Sequence, residues 1–135
     1  MAELLKAGDI GVISISRLGE IGGIFTGQSW AVKTASSISL CRDCEILAGW
    51  TVPGSADLTA FLGEQSAFEF KQGVSDCALT VANWVLLQTG IDPAANLRSQ
   101  YSSDTGWRRI VINEGGMVPL FEKLANESGL KKAVI

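Results

Sequence analysis

The segment "QGVSDCALTVANWVLLQTG", from Gln72 to Gly90, contains the strongest helix signal in the chain. Asp76 is a favourable N-cap residue, and the apolar residues after it recur at helical spacing. Gly90 follows the last of them, as is typical of a helix C-terminus. The sequence therefore predicts a helix from Cys77 to about Thr89, with the Asp-Cys pair at its start.

Cys77 is the candidate nucleophile, because free N–H groups and the helix dipole stabilise a thiolate in the first helical turn. Gln72, or the backbone, could then donate to an oxyanion. Asp76 has the opposite effect, since a neighbouring carboxylate raises the pKa of a thiol. The chain has no histidine, so a different base would be needed. A buried, unreactive cysteine is the alternative interpretation.

The composition limits the class of protein. With 135 residues, 47% of them hydrophobic, the chain is long enough for one domain with a real core. Zero histidines exclude Ser-His, Cys-His and His-ligated metal chemistry within one chain. The net charge of -3 and the scattered Lys and Arg residues do not indicate a basic surface for binding nucleic acid. We expect no membrane insertion and no signal peptide, and the odd cysteine count favours a reducing compartment.

Residues 1–52 form a strand-rich half. Ala7–Ile15 is rich in β-branched residues, and Gly22–Thr34 consists of two apolar runs around a turn, which predicts a hairpin. Ile38–Val52 could supply one or two further strands. Residues 53–57, "PGSAD", are typical of a turn or linker.

Residues 58–135 form a helical half within the same single domain, 1–135. Besides the Cys77 helix, the sequence predicts four helix starts or spans: a short helix from Asp57 through Leu62, one starting at Asp92-Pro93, one capped by Asp104, and one over Met117–Gly129. Strands followed by helices indicate an α+β fold, with a small antiparallel sheet packed against the helical half.

Cys41 and Cys44 have the spacing of a redox pair or of half a metal site. A structural zinc site needs four ligands, and the chain offers three cysteines and no histidine. If the segment is a strand, residues three apart point to opposite faces. We therefore expect no closed zinc site within one chain and no cofactor, while a site shared with a partner chain stays open.

Three stretches resemble a known family. "DCALTVANWVLLQTGIDPAANLRSQY" resembles a small phage domain of unknown function that is found among tail-assembly genes and is related to NlpC-type, papain-like peptidases. "FKQGVSDC" is similar to the segment that leads into the NlpC nucleophile helix. "KAGDIGVISISRLGEIGGIFTGQSWAVKTASSISL" resembles the Gly-Asp strand and following hairpin of those folds. Together the stretches cover about half of the chain.

Two departures from the family pattern matter. Active NlpC peptidases carry the base histidine on the hairpin strand, whereas the matching stretch here is "EIGGIFTG", with Glu20 to Gly23 at that place. The strand half also precedes the cysteine helix, in circularly permuted order. The resemblance therefore implies that residues 3–8 and 131–135 lie close together, and that Glu20 to Gly23 face Cys77.

The resemblance implies a structural or assembly component of a phage tail tip, derived from a peptidase and without catalytic activity. Cys77 would be a relic nucleophile, with Gln72, Asp76 and Glu20 completing the site. The expected partners are other phage tail proteins, and the expected location is the virion tail or, during assembly, the bacterial host cytoplasm.

Two other functions remain open at this point. The first is an active thiol hydrolase of peptidoglycan or another amide, with Cys77 as nucleophile and Glu20 or Asp9 as base. The second is a cysteine-ligated metal or redox module that uses Cys41, Cys44 and Cys77.

Overall fold

The computed structural model describes residues 3–35 and 37–135; Met1, Ala2 and Ser36, which belong to the predicted strand-rich half, lie outside these ranges. The secondary structure consists of strands β1 (Ile10–Ile15), β2 (Gly19–Phe25), β3 (Trp30–Lys33), β4 (Ile38–Cys41), β5 (Glu45–Thr51) and β6 (Lys131–Lys132), and helices α1 (Leu58–Ser66), α2 (Cys77–Thr89), α3 (Asp104–Asn113) and α4 (Met117–Glu127).

All six strands belong to one antiparallel sheet, in the order β4-β3-β2-β1-β5-β6. The predicted hairpin is formed by β2 and β3, and the region Ile38–Val52 supplies two strands. The predicted first strand begins at Ile10 rather than Ala7. A small antiparallel sheet with four helices confirms the α+β class. β6 was not predicted and lies within the predicted helical half.

The sheet is curled. Only Arg42, Asp43 and Cys44 connect β4 to β5, although four strand spacings separate these two strands in the sheet order. In a flat sheet that separation is about 19 Å, whereas four residue steps reach about 14 Å at most. The sheet must therefore bend until its β4 edge approaches β5.

Glycines allow the curled face of the sheet to close around a tryptophan. Gly11 lies between Gly23 and Gly49 across three neighbouring strands. A Cβ on Gly11 would lie 2.7 Å from the Ala48 carbonyl oxygen and 2.7 Å from the Trp30 ring. The missing side chain thus makes room for Trp30, which is buried with other apolar residues of this face, namely Ile13, Ile21 and Val32.

The opposite face of the sheet packs on the helices. Val12 and Ile24 join Trp84 of α2 and Phe121 of α4 in the larger core cluster. The Trp84 indole N–H also donates to the Gly8 carbonyl at 2.7 Å. This packing fixes α2 across the sheet and so determines where its first turn lies.

The helix predictions were confirmed most closely for α2. It runs from Cys77 to Thr89, Asp76 caps it, and Gly90 ends it in the left-handed conformation. The α1 helix continues to Ser66, beyond the predicted end at Leu62. The α4 helix covers most of the predicted Met117–Gly129 span.

Two helix predictions need correction. The N-cap of α3 is Ser103, so Asp104 is the first helical residue instead of the cap. The helix predicted from Asp92-Pro93 is wrong, because residues 93–99 form successive turns. There the Asp92 side chain accepts from Ala94 N and pairs with Arg98, in competition with helix formation.

Residues 3–8 and 131–135 are adjacent, as expected. Leu4 forms a parallel bridge with Val134, whose amide donates to the Glu3 carbonyl at 2.8 Å. Ala133 continues the contact by donating to the Gly49 carbonyl at 2.8 Å. Within residues 3–35 and 37–135, no helix combines the length and apolar character needed to cross a bilayer.

Candidate functional site

Cys77 lies in the first turn of α2, as predicted, and is partly exposed in a cleft. The cleft is bounded by Glu20 at the start of β2, by Gln72 before α2, and by Trp107 and Arg108 of α3. The fold therefore brings together the candidate residues Cys77, Gln72 and Glu20 in one concave surface.

Asp76 has a structural role at this site. Its Oδ1 accepts from the Leu79 amide at 2.9 Å and thereby caps α2. Its Oδ2 accepts from the Gly73 amide at 2.8 Å and from the Tyr101 hydroxyl at 2.5 Å. The carboxylate is buried, so these three donors replace its water and hold Cys77 in a fixed position.

The loop before α2 and the loop before α3 interlock at Gly73. Its backbone has φ of 81°, and a Cβ on this residue would lie 2.0 Å from the Tyr101 carbonyl oxygen. The Ser99 amide donates to the Gly73 carbonyl at 3.0 Å. Burial, followed by the hydrogen bond to Asp76, raises the pKa of Tyr101. Tyr101 therefore keeps its proton and remains a donor to Asp76.

The environment of the Cys77 sulfur favours the protonated thiol. Burial, with the Asp76 charge as a second cause, raises the pKa of Cys77 to about 12. The backbone N–H groups of Gly22, Cys77 and Ala78 favour the thiolate and lower the pKa, but they do not outweigh these two effects. The helix N-terminus thus fails to produce a reactive thiolate, because burial and the Asp76 charge together outweigh its N–H groups.

Strand β2 faces Cys77, as expected. The Gly22 amide is directed at the sulfur, and Glu20 lies on the same strand face because it is two residues away. Glu20 is exposed in the cleft wall. A carboxylate is a weak base beside a thiol, and its charge disfavours a thiolate. The position expected for a histidine is therefore occupied by groups that do not activate Cys77.

Asp9, the other base considered, is not in the cleft. Its carboxylate is buried and accepts from the Lys6 amide at 2.9 Å and the Lys6 Nζ at 3.2 Å. It also accepts from the Val52 amide at 3.0 Å. The hypothesis that Asp9 serves as a base for Cys77 is therefore wrong, because this carboxylate joins the start of β1 to the end of β5.

Lys33 is a residue of the cleft that the sequence interpretation missed. Its side chain is buried, and Nζ donates to the Gln65 carbonyl at 2.9 Å and to the Phe68 carbonyl. Carbonyls at the C-terminal end of a helix attract cations, so Lys33 fixes the end of α1. The sequence offered one signal for this role: Lys33 lies two residues after Ala31 and therefore on the same, apolar face of the strand.

Several aromatic and basic side chains have structural roles. Trp30, Trp50 and Trp84 are buried in the core. Arg98 pairs with Asp92 at 2.8 Å. Trp107 differs, because it lines the Cys77 cleft and packs on the Tyr101 ring at 5.1 Å between centroids.

Cys41 and Cys44 lie side by side. Residues 42 and 43 form a bend, so the side chains do not point to opposite faces as a continuous strand would require. Burial, then the neighbouring Cys41 and Asp43, raise the pKa of Cys44 to about 11. In the described part of the chain, no three Cys, Asp or Glu side chains are grouped as metal ligands.

The raised pKa of Cys77 predicts a stability difference in alkali. A free thiol ionises near pH 9, and the folded Cys77 near pH 12. Between these values the unfolded chain has lost a proton that the folded chain retains, so stability falls as pH rises, by about 1.4 kcal/mol per pH unit. We expect Cys77→Ala to lose less stability than wild type between pH 9 and 11 in urea titrations. Parallel curves for the two proteins above pH 9 would contradict the assignment.

No curated protein and no solved structure is significantly similar to the chain. One family does match, over residues 53–131, which is more than half of the chain. The matched region begins where the strand-rich half ends and contains Gln72, Asp76, Cys77 and Tyr101. The chain therefore belongs to the family described as Domain of unknown function (DUF6950).

Proposed function

We propose that the chain is a catalytically inactive, circularly permuted papain-like domain that serves as a structural or assembly component of a phage tail tip. Catalytic inactivity is inferred from the Cys77 thiol, which lies at the expected nucleophile position but has its pKa raised to about 12. The phage-tail part rests on the resemblance of the Asp-Cys helix and its flanking segments.

Three contacts support the permuted papain-like arrangement. The strand that follows Gly8-Asp9 pairs with β2 in the same sheet. The β2 strand directs its Gly22 amide at Cys77. Residues 3–8 meet residues 131–135 through the bridge between Leu4 and Val134. These are the contacts expected if the two halves of a peptidase fold had been exchanged in order.

The absence of a base supports loss of catalysis. The chain has no histidine, and the cleft presents Glu20 and Asp76 around the thiol. An activated cysteine requires a positioned base or a lowered pKa, and Cys77 has a raised one. Partners, in this proposal, are other tail proteins that need a folded scaffold rather than turnover at Cys77.

Alkylation of Cys77 tests the inactive site against the thiol hydrolase. We expect native Cys41→Ser/Cys44→Ser protein, which retains only Cys77, to react with iodoacetamide at pH 8 at least about 1,000-fold more slowly than a free cysteine, since its thiolate fraction is that much smaller. The same protein in urea is the control, and it should react at the rate of a free thiol. Fast alkylation of the native protein would favour the hydrolase.

The assembly role is tested in the phage that encodes the chain. We expect the chain in purified particles, in the tail fraction identified by mass spectrometry. A phage carrying Cys77→Ser should give the wild-type yield of infectious particles, because the thiol does no chemistry. Absence of the chain from particles, or a loss of infectivity with Cys77→Ser despite normal folding, would refute the role.

A further inference from the structure

We propose that Cys41 and Cys44 form a reversible disulfide by exchange with a low-molecular-weight disulfide. This site is separate from the Cys77 cleft and does not depend on the proposed function. Cys41 is the last residue of β4, and Cys44 immediately precedes β5. The bend at Arg42 and Asp43 places the two thiols next to each other.

Both partners of this pair can be reached by a small reagent. Cys41 and Cys44 are each partly exposed, on the short connection that closes the curled sheet. Cys41 is held by its pairing with Trp30 of β3, whereas residues 42–44 belong to no strand. Cys44 is nevertheless held in place, because it packs against the buried apolar cluster that contains Trp30.

The two sulfurs differ in their expected roles. The thiol of Cys44 keeps its proton because burial and its neighbours raise its pKa to about 11. Cys41 is not part of the apolar cluster against which Cys44 packs, so it is the less enclosed of the two sulfurs. Cys41 is therefore the sulfur that attacks first, and Cys44 is the resolving sulfur.

The exchange balances with oxidised glutathione as the oxidant. The Cys41 thiolate attacks one glutathione sulfur, which breaks the glutathione disulfide, forms a mixed disulfide and releases one reduced glutathione. Cys44 then gives its proton to solvent and attacks the Cys41 sulfur, releasing the second reduced glutathione. The protein dithiol is oxidised by two electrons, and the glutathione disulfide is reduced by the same two.

We expect the disulfide between Cys41 and Cys44 to change the stability of the protein little. Only two residues lie between the cysteines, so the crosslink closes a very short loop and constrains the unfolded chain little.

The test uses the full chain and oxidised glutathione, followed by intact-mass measurement and peptide mapping. We expect wild type to lose two titratable thiols and two hydrogens in mass, with a Cys41–Cys44 crosslink and no retained glutathione. Cys77→Ser is the matched control and should form the same crosslink at the same rate. Circular dichroism confirms that each variant is folded.

The single variants separate the two sulfurs. Cys44→Ser should accumulate a stable glutathione adduct on Cys41, because the resolving sulfur is missing. Cys41→Ser should form an adduct on Cys44 more than tenfold more slowly. A persistent mixed disulfide on wild type, a crosslink that includes Cys77, or disulfide-linked dimers as the main product would overturn the proposal.

Discussion

Replacing Asp76 with alanine is expected to lower the free energy of unfolding by about 4 kcal/mol. Removal of the cap contributes about 1 kcal/mol. The Gly73 amide and the Tyr101 hydroxyl also lose their acceptor in a buried site, at roughly 1–3 kcal/mol each. Urea unfolding followed by circular dichroism measures the effect. A loss of this size is a large part of the stability of a domain, which is typically about 5–15 kcal/mol.

Asp57 supplies a matched control, since it caps α1 through a single hydrogen bond to the Ala60 amide and is exposed. Asp57→Ala should therefore cost only about 1 kcal/mol. Tyr101→Phe should fall between the two, because it removes one of the three donors to Asp76. Equal losses for Asp57→Ala and Asp76→Ala would mean that Asp76 acts only as a helix cap.

Substitution of Gly73 with alanine should be nearly as severe, with an expected loss of more than 3 kcal/mol. A Cβ there would lie 2.0 Å from the Tyr101 carbonyl oxygen, and the positive φ is itself strained for alanine. The contact is with backbone, so the two interlocked loops must move apart, and Asp76 would lose its donors from both. The unfolding midpoint in urea gives the magnitude.

Gly63→Ala is the control, and it should change the stability in the opposite direction. Gly63 lies in α1, and a Cβ there meets nothing within 4 Å. Alanine should therefore stabilise the protein by about 0.5–1 kcal/mol through its higher helix propensity. If Gly73→Ala were tolerated as well as Gly63→Ala, the interlock of the two loops would not be a determinant of the fold.

The parts of the fold that could be predicted are those whose signals are local. Asp76 and Gly90 bracket an apolar helix, and all three features lie within one short segment. The hairpin of β2 and β3 was predicted for a similar reason, since its turn Thr26 to Ser29 is held by its own side chains.

Other parts depend on contacts between distant residues. β6 is a pair of exposed lysines, and it is a strand only because β5 pairs with it. A helix was predicted to start at Asp92-Pro93, but in addition to the local contacts of Asp92, the Ser99 amide donates to the distant Gly73 carbonyl. Neither pairing has a signature in the sequence nearby.

The residues of the candidate site could be predicted from the sequence, but the protonation state of Cys77 could not. Cys77, Gln72 and Glu20 do line one cleft. Two opposing effects on the Cys77 thiol were apparent from the sequence, the helix N-terminus and the Asp76 charge. Burial decided between them, and burial follows from the packing of β2 and the Tyr101 loop against the start of α2.

The strand order has a consequence for synthesis of the protein. The outer edge of β5 is completed by β6, whose residue Lys131 lies 80 positions after its neighbour Thr51. A ribosome adds about 5–20 residues per second, so β6 is synthesised roughly 4–16 s after β5. For the first 38 of these 80 residues, up to Thr89, the sheet also lacks a complete α2 to cover Trp50 and Val12.

A nascent sheet with an open, apolar edge is a target for chaperones and for pairing with neighbouring chains. Contacts this far apart in sequence also slow folding, because the long loop must close before its contacts are formed. Translation speed across α1 to α4 should thus influence how much of the newly made protein reaches the native state.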